Sequence, residues 1–198
     1  MKPTPAKKQG LIFIISGPSG SGKTTLAERV VKSKGLKDKL IKSVSLTTRP
    51  IRSGEREGED YFFVSERQFQ RLLKAKKILE WTRYLGYYYA TPKDFIERHL
   101  TKGRHLILCL DVKGARMLKR GYPHQTVTIF VKPPSLGALR NRIEKRCDKT
   151  STEEICNRLR MAGRELRAAG EYDYCLLNEN LKQVVKALKD IMVSKINA

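Results

Sequence analysis

Gly17-Pro18-Ser19-Gly20-Ser21-Gly22-Lys23-Thr24 satisfies G-x-x-x-x-G-K-[ST] at every required position. The apolar run Leu11–Ile15 precedes it, and a helical pattern with Leu26, Ala27, Val30 and Val31 on one side follows. Strand, glycine-rich loop and helix in that order are the setting in which such a loop binds phosphate. The glycines let the backbone curl until successive N–H groups point inward at an anion. The positive end of the new helix adds to that field. Lys23 is placed to reach the β- and γ-phosphates of a nucleoside triphosphate, and the Thr24 hydroxyl to hold Mg²⁺. The bland alternative is a glycine/serine loop that merely joins strand to helix.

Outward from the loop, strands and helices alternate. The first helix runs to about Lys34, with Gly35 as its stop. Leu40–Leu46 reads as one strand, Tyr61–Val64 as a short one, and Ile78–Trp81 and Tyr87–Ala90 as aromatic, strand-like segments. Ser65 with Gln68 predicts a capping box, with Phe69, Leu72 and Leu73 on the helix face behind it. Pro92 is expected at the first position of a further helix that ends near Gly103. His105–Leu110 is a continuous apolar run, as in a strand buried on both faces. A short helix to Gly121, a strand over Thr126–Val131, a Ser135-capped helix, a strand over Tyr174–Leu177 and a closing amphipathic helix through Val184, Leu188 and Met192 follow. This rhythm predicts an α/β fold around a parallel sheet. Two segments break it, roughly 44–91 and 134–164. The second carries a polar interruption at Asp148–Thr152.

The 198 residues allow one domain with small inserted lobes, and 40% apolar residues suffice for a core. The longest apolar run is strand-sized, so no membrane span is expected. Residues 1–9 read as a tail with no signal-peptide core, which predicts a cytoplasmic protein. Cys109, Cys147, Cys156 and Cys175 have no C-x-x-C spacing and are expected to be reduced. The net charge of +21 leaves three readings: an enzyme of polyanionic substrates, a nucleic-acid binder, or a solvated basic surface.

A second constellation lies in Ser43–Tyr61. Arg49 and Arg52, three apart, with Tyr61 further on, can grip one phosphate, because guanidinium forks donate in pairs. The alternative is a charged surface loop.

At this point the sequence resembles the guanylate kinase family. The resemblance runs from Leu11 to about Ile191. The phosphate loop, Ser43–Arg49 (S-V-S-x-T-T-R), Gly54–Phe63 (G-E-x-x-G-x-D-Y-x-F), Leu79–Trp81, Tyr88–Thr91, Leu110–Ala115 and Glu171–Tyr174 occur in family order. The resemblance implies transfer of the γ-phosphoryl of ATP to GMP, and to dGMP, with Mg²⁺. The implied fold is a P-loop NTPase-type parallel sheet core (10–43, 92–133, 165–198) with an inserted GMP-binding lobe (44–91) and a helical lid (134–164). It assigns Gly17, Pro18, Ser19, Gly20, Ser21, Gly22, Lys23, Thr24, Thr25 and Asn178 to ATP. It assigns Arg49, Arg52, Tyr61 and Tyr89 to the GMP phosphate. Ser45, Glu80, Thr91 and Asp111 surround the guanine. Glu80 is the main selector, because a carboxylate accepts from both N1–H and the N2 amino group of guanine, and adenine offers no such donor pair. Trp81 is read as packing. Lys23 with the lid arginines Arg142, Arg146 and Arg158 stabilises the transferring charge. The implied partners are small nucleotides, with no membrane, no specific nucleic acid, and a monomeric or homodimeric chain.

Three positions depart from the family pattern. Leu46 replaces a commonly polar residue. Cys109 stands at a usually acidic position, leaving Thr24 and the ATP phosphates to hold the metal, with Asp111 as a further candidate. The lid around Arg146 is one residue longer and lacks a glycine. The competing readings are a kinase of another nucleoside monophosphate, against which Glu80 and Ser45 argue, and a non-catalytic guanylate-kinase-like module, which would usually lose the phosphate loop.

Overall fold

A computed structural model describes residues 9–146 and 152–198. The chain runs β1 (Ile12–Ser16), α1 (Lys23–Val31), β2 (Leu40–Lys42), β3 (Ser45–Thr47), β4 (Tyr61–Phe63), α2 (Glu66–Lys74), β5 (Ile78–Tyr84), β6 (Tyr87–Pro92), α3 (Lys93–Thr101), β7 (His105–Cys109), α4 (Val112–Gly121), β8 (Thr126–Lys132), α5 (Leu136–Arg146), α6 (Thr152–Arg167), β9 (Tyr174–Leu177) and α7 (Leu181–Asn197). A short 3-10 turn, Ala168–Glu171, joins α6 to β9.

The core is a five-stranded sheet in the order β2-β7-β1-β8-β9, parallel throughout. The apolar run in β1 is explained by its central place. Phe13 and Ile15 point to one side and pack with Leu26, Val30, Val184 and Leu188 of α1 and α7. Ile12 and Ile14 point to the other and pack with Ile96, Leu100, Ala115 and Leu118 of α3 and α4. A strand with period-two side chains must be apolar at every position when helices cover both faces. Each such buried Ile or Leu contributes about 1.5–3 kcal/mol relative to exposure.

Two expectations are corrected. Leu40–Leu46 is not one strand. Lys42 pairs with Ile107 in the core sheet, whereas Ser45 pairs with Tyr61 in a second sheet of order β4-β3-β6-β5. The chain changes sheets within Ser43 and Val44, and both halves are strand-like, so pattern alone could not divide them. Pro92 ends β6 and precedes α3 as its cap, with φ −67° and ψ 126°, so the helix starts at Lys93. The predicted capping box is present: Gln68 N donates to Ser65 Oγ and Ser65 N to Gln68 Oε1. Ser135 caps α5 by accepting from Ala138 N.

The second sheet packs Leu46, Phe69 and Ala90 with Phe62, Trp81 and Tyr88. Trp81 lies edge-on to Phe69 and is a packing residue, as the sequence suggested. Helices α5 and α6 pair through Leu139, Ile143, Ile155 and Ala162. Arg146 closes α5, and its side chain lies outside the described residues, as do Cys147 and the polar interruption up to Ser151. Cys109, Cys156 and Cys175 are free thiols. Among the described residues no helix is long and apolar enough to cross a membrane.

Candidate active site

A cleft of about 950 Å³ opens at the carboxyl ends of β1, β7 and β9. Ligand sites in open parallel sheets form at this end, where loops rather than helices face the crevice. Its floor is the loop between β1 and α1. Gly17, Gly20 and Gly22 adopt φ of +142°, +86° and +95°, which side chains resist, so the eight-residue spacing is a backbone requirement here. Lys23, the first residue of α1, folds back and donates from Nζ to the carbonyls of Gly17 (2.6 Å) and Pro18 (2.9 Å). Its ammonium therefore sits over the loop. Ser19, Gly20, Thr24 and Thr25 also line the cleft. Ser21 is buried, and its carbonyl accepts from Asn178 Nδ2 at 2.7 Å. Asn178, also on the cleft wall, thus braces the loop from the end of β9. A Cβ on Gly22 would stand 2.4 Å from that same amide.

The opposite wall comes from the second sheet. Glu80, on β5, is 3% exposed and accepts from Thr91 Oγ1 of β6 at 2.5 Å. Burial pushes its carboxyl up to about 7; Thr91 counters, the neighbouring Asp111 adds to the rise, and Lys113 opposes it. Asp111 caps α4, accepting from Gly114 N at 2.7 Å, and also lines the cleft. Gly114 is needed for a reason the sequence does not display: a Cβ there would meet Glu80 Oε2 at 2.5 Å. Gly114→Ala should therefore push the carboxylate out of place while favouring helix α4 itself by about 1 kcal/mol. The expected result is a Glu80 carboxyl that titrates closer to its ordinary value by NMR, with Tm near wild type; a carboxyl that titrates as in wild type would show that the contact is absorbed elsewhere.

Arg49, Arg52, Tyr61, Tyr89 and Ser45 line the same wall. Arg49 is buried. Its Nη2 donates to both oxygens of Glu55 (2.8 and 2.9 Å), its Nη1 to Pro50 O (2.6 Å), and its guanidinium lies 5.4 Å from the Tyr61 ring centre. Glu55 also accepts from Arg52 N. Burial opposes the charge on Glu55, but Arg49 and the Arg52 amide outweigh it and hold the carboxyl below its ordinary value. Glu55 is thus the residue that fixes the guanidinium plane. Its spacing three after Arg52 was on view in the sequence, but nothing there joined it to Arg49.

From α6, Arg158 is buried, bonded to Glu154 Oε1 through Nε (3.0 Å) and Nη2 (2.5 Å), with Nη1 3.5 Å from Ser19 Oγ. From α5, Arg142 donates to Asn178 O at 3.0 Å. Two residues missed by pattern also enter. Tyr84, at the end of β5, lines the cleft, and burial raises its phenol while a bond with Ser19 and the charge of Arg158 oppose the rise. Glu165 of α6 lines the cleft; burial raises its carboxyl to about 7, with Lys23 lowering it and Asp111 raising it. Neither has a sequence signal: one is a tyrosine among aromatics, the other a glutamate in a charged helix.

The residues fit Mg²⁺ carried by a nucleotide. Among the described residues no cluster of three acidic, histidine or cysteine side chains forms an all-protein site. Magnesium commonly takes one or two protein oxygens plus substrate phosphates, and Thr24 beside the phosphate loop supplies such an oxygen. Burial pushes the Cys109 thiol up to about 11, so it faces the cleft as a neutral group and not as a thiolate ligand.

The guanylate kinase family profile matches residues 9–195. A guanylate kinase of Caldanaerobacter subterraneus subsp. tengcongensis is 40% identical over 190 residues, 96% of this chain and 89% of that protein. One from Thermotoga maritima is 40% identical over 187 residues, covering 94% and 88%. The crystal structure of guanylate kinase from Anaplasma phagocytophilum superposes with a TM-score of 0.79 at 31% identity, covering 96% of this chain and 87% of that one. Likeness over this length, in sequence and in backbone, places the chain in the guanylate kinase family.

Proposed function

We propose that this guanylate kinase divides its cleft into two halves. ATP lies along Gly17–Thr25, and GMP lies between Glu80 and the Arg49–Arg52 pair. The observation that supports this division is the pairing of a buried carboxyl that can ionise near neutral pH at one end of the second sheet's wall with a pre-oriented guanidinium at the other. The first suits the donor edge of guanine and the second a phosphate. Ser45, Thr91 and Asp111 complete the base end. Tyr61 and Tyr89 complete the phosphate end, and dGMP presents the same two ends.

In the reaction an oxygen of the GMP phosphate attacks the γ-phosphorus of ATP, and the bond to the ADP oxygen breaks. The acceptor is already an anion, so no strong general base is required. Lys23, Arg142, Arg146 and Arg158 offset charge that spreads over the transferring phosphoryl group. Mg²⁺, held by Thr24 and the nucleotide, would neutralise part of the phosphate charge. Residues 44–91 act as the GMP-binding lobe and 134–164 as the lid on a core of 10–43, 92–133 and 165–198. The substrates are small nucleotides, and the chain acts as a monomer or a homodimer. Free cysteines accord with a cytoplasmic setting.

A coupled assay of ATP with GMP, AMP, CMP and UMP tests the reading; equal turnover of AMP would overturn it. Arg49→Ala and Arg52→Ala should each raise KM for GMP about 10- to 100-fold, as loss of charge-assisted bonds worth about 1.5–3 kcal/mol requires. KM for ATP should move far less. A larger effect on ATP would mean that the halves are exchanged.

A further inference from the structure

We propose that the face formed by α1, the turn after it and α7 binds the phosphate backbone of double-stranded nucleic acid, apart from the cleft. Residues 25–42 and 181–198 hold ten Lys and Arg and three acidic residues. Arg29, Lys32, Lys34, Lys37, Lys39, Lys182, Lys186 and Lys195 are exposed, and Lys189 is half-buried. Among the described residues none of these nine forms a salt bridge; the pair Lys42–Glu28 is the one found in these segments. Basic residues elsewhere are neutralised more often, as in Lys77–Asp94, Lys119–Asp173 and Arg116–Glu171.

The two segments make one surface. Helices α1 and α7 pack side by side on the same face of the core sheet. Lys34, Lys39 and Lys189 rim a shallow depression of about 250 Å³ floored by Leu36, Val193 and Ile196. On α7, Lys182, Lys186 and Lys189 follow helical spacing and form a stripe about 10 Å long at 1.5 Å per residue. The depression lies against the carboxyl-terminal half of α7, whereas the cleft meets α7 at Leu181. Both sites can therefore be filled together.

The chemistry of the face selects among polyanions. Among the described residues the exposed large apolar side chains are Ile51, Tyr87, Met117, Leu136 and Leu177, all outside these two segments. A protein interface would want a buried aromatic or apolar anchor. A membrane surface would want apolar side chains to insert. Single-stranded nucleic acid would want aromatic rings on which to stack bases. Tyr174, half-buried, is already covered by Lys195. Spaced ammonium groups suit a regular array of duplex phosphates, with no sequence preference.

The test is fluorescence anisotropy of a labelled mixed-sequence DNA duplex of about 20 base pairs with the full chain, its cleft filled by ADP and GMP. Binding should weaken about 1,000-fold between about 50 and 200 mM salt, as engagement of roughly six phosphates requires. Lys34→Glu/Lys39→Glu/Lys189→Glu should weaken binding at least about tenfold and flatten the salt slope by about 3, with kcat and KM for GMP unchanged. Lys37→Glu/Lys182→Glu/Lys186→Glu, at exposed positions, should act in the same direction. Loss of binding when ADP and GMP are added, indifference to both triple variants, or tighter binding to phosphatidylserine vesicles or single strands would each overturn the proposal.

Discussion

Lys23→Ala should remain folded and lose phosphoryl transfer by about 1,000-fold or more in kcat. The lysine is no part of the core. Its Nζ is held by carbonyls of the loop that it serves, at Gly17 and Pro18, above the start of α1. Removing it deletes a cation where negative charge develops, in a site from which water is displaced, and such a loss falls on the transition state. The hydrophobic contacts of α1 run through Leu26, Ala27 and Val30 and are untouched, so Tm should stay within a few degrees of wild type. Single-turnover rates at saturating ATP and GMP, with calorimetry on the same sample, check both halves. Turnover near wild type would remove Lys23 from the reaction.

Glu80→Gln should lower kcat/KM for GMP about 30- to 1,000-fold, equivalent to about 2–4 kcal/mol. The amide keeps the shape of the carboxylate and turns one acceptor into a donor that faces the N1–H and N2 amino groups of guanine. IMP lacks the N2 amino group, so the ratio of GMP to IMP activity should be large for wild type and much smaller for the variant. An unchanged ratio would transfer base reading to Asp111. The raised carboxyl adds a pH signature. At about 7 in the free protein, Glu80 is mostly protonated at pH 6 and mostly ionised at pH 8. Guanine donors need the ionised form, so GMP binding should tighten about tenfold across that interval and release a proton. The second ionisation of the GMP phosphate and the single ionisation of Glu165 fall in the same range. Only the part of the profile that disappears in Glu80→Gln belongs to Glu80, and calorimetric titration in two buffers measures it.

Much of the fold was legible because its signals are local. A two-sided apolar run marks β1, the Ser65–Gln68 box marks the start of α2, and the glycine spacing marks the phosphate loop. The change of sheet at Ser43–Val44 was not legible, because pairing partners lie some sixty residues from one strand, at Leu106–Ile107, and far nearer for the other, at Tyr61. In the site, Arg49, Arg52, Tyr61, Tyr89, Glu80 and Asp111 were named and do share one cleft. Thr91 was named as a base contact and is found behind Glu80, donating to it. Tyr84 and Glu165 are single residues of common types and carry no pattern of their own, whereas Glu55 and Gly114 lie inside motif stretches but their contacts with Arg49 and Glu80 exist only in the fold.

The bonding of the second sheet has a consequence for what the cleft measures. Glu80 lies on β5 and pairs with Thr91 of β6, and Tyr89 of β6 pairs with Thr47 of β3, two residues before Arg49. Backbone ladders therefore set the span from the Glu80 carboxylate to the Arg49 guanidinium. The sheet makes the two ends one ruler, because they are joined through the ladder β5-β6-β3 and not through loops alone. On the proposed division of the cleft, such a ruler would admit acceptors of one length, and GDP offered in place of GMP is expected to be a poor acceptor.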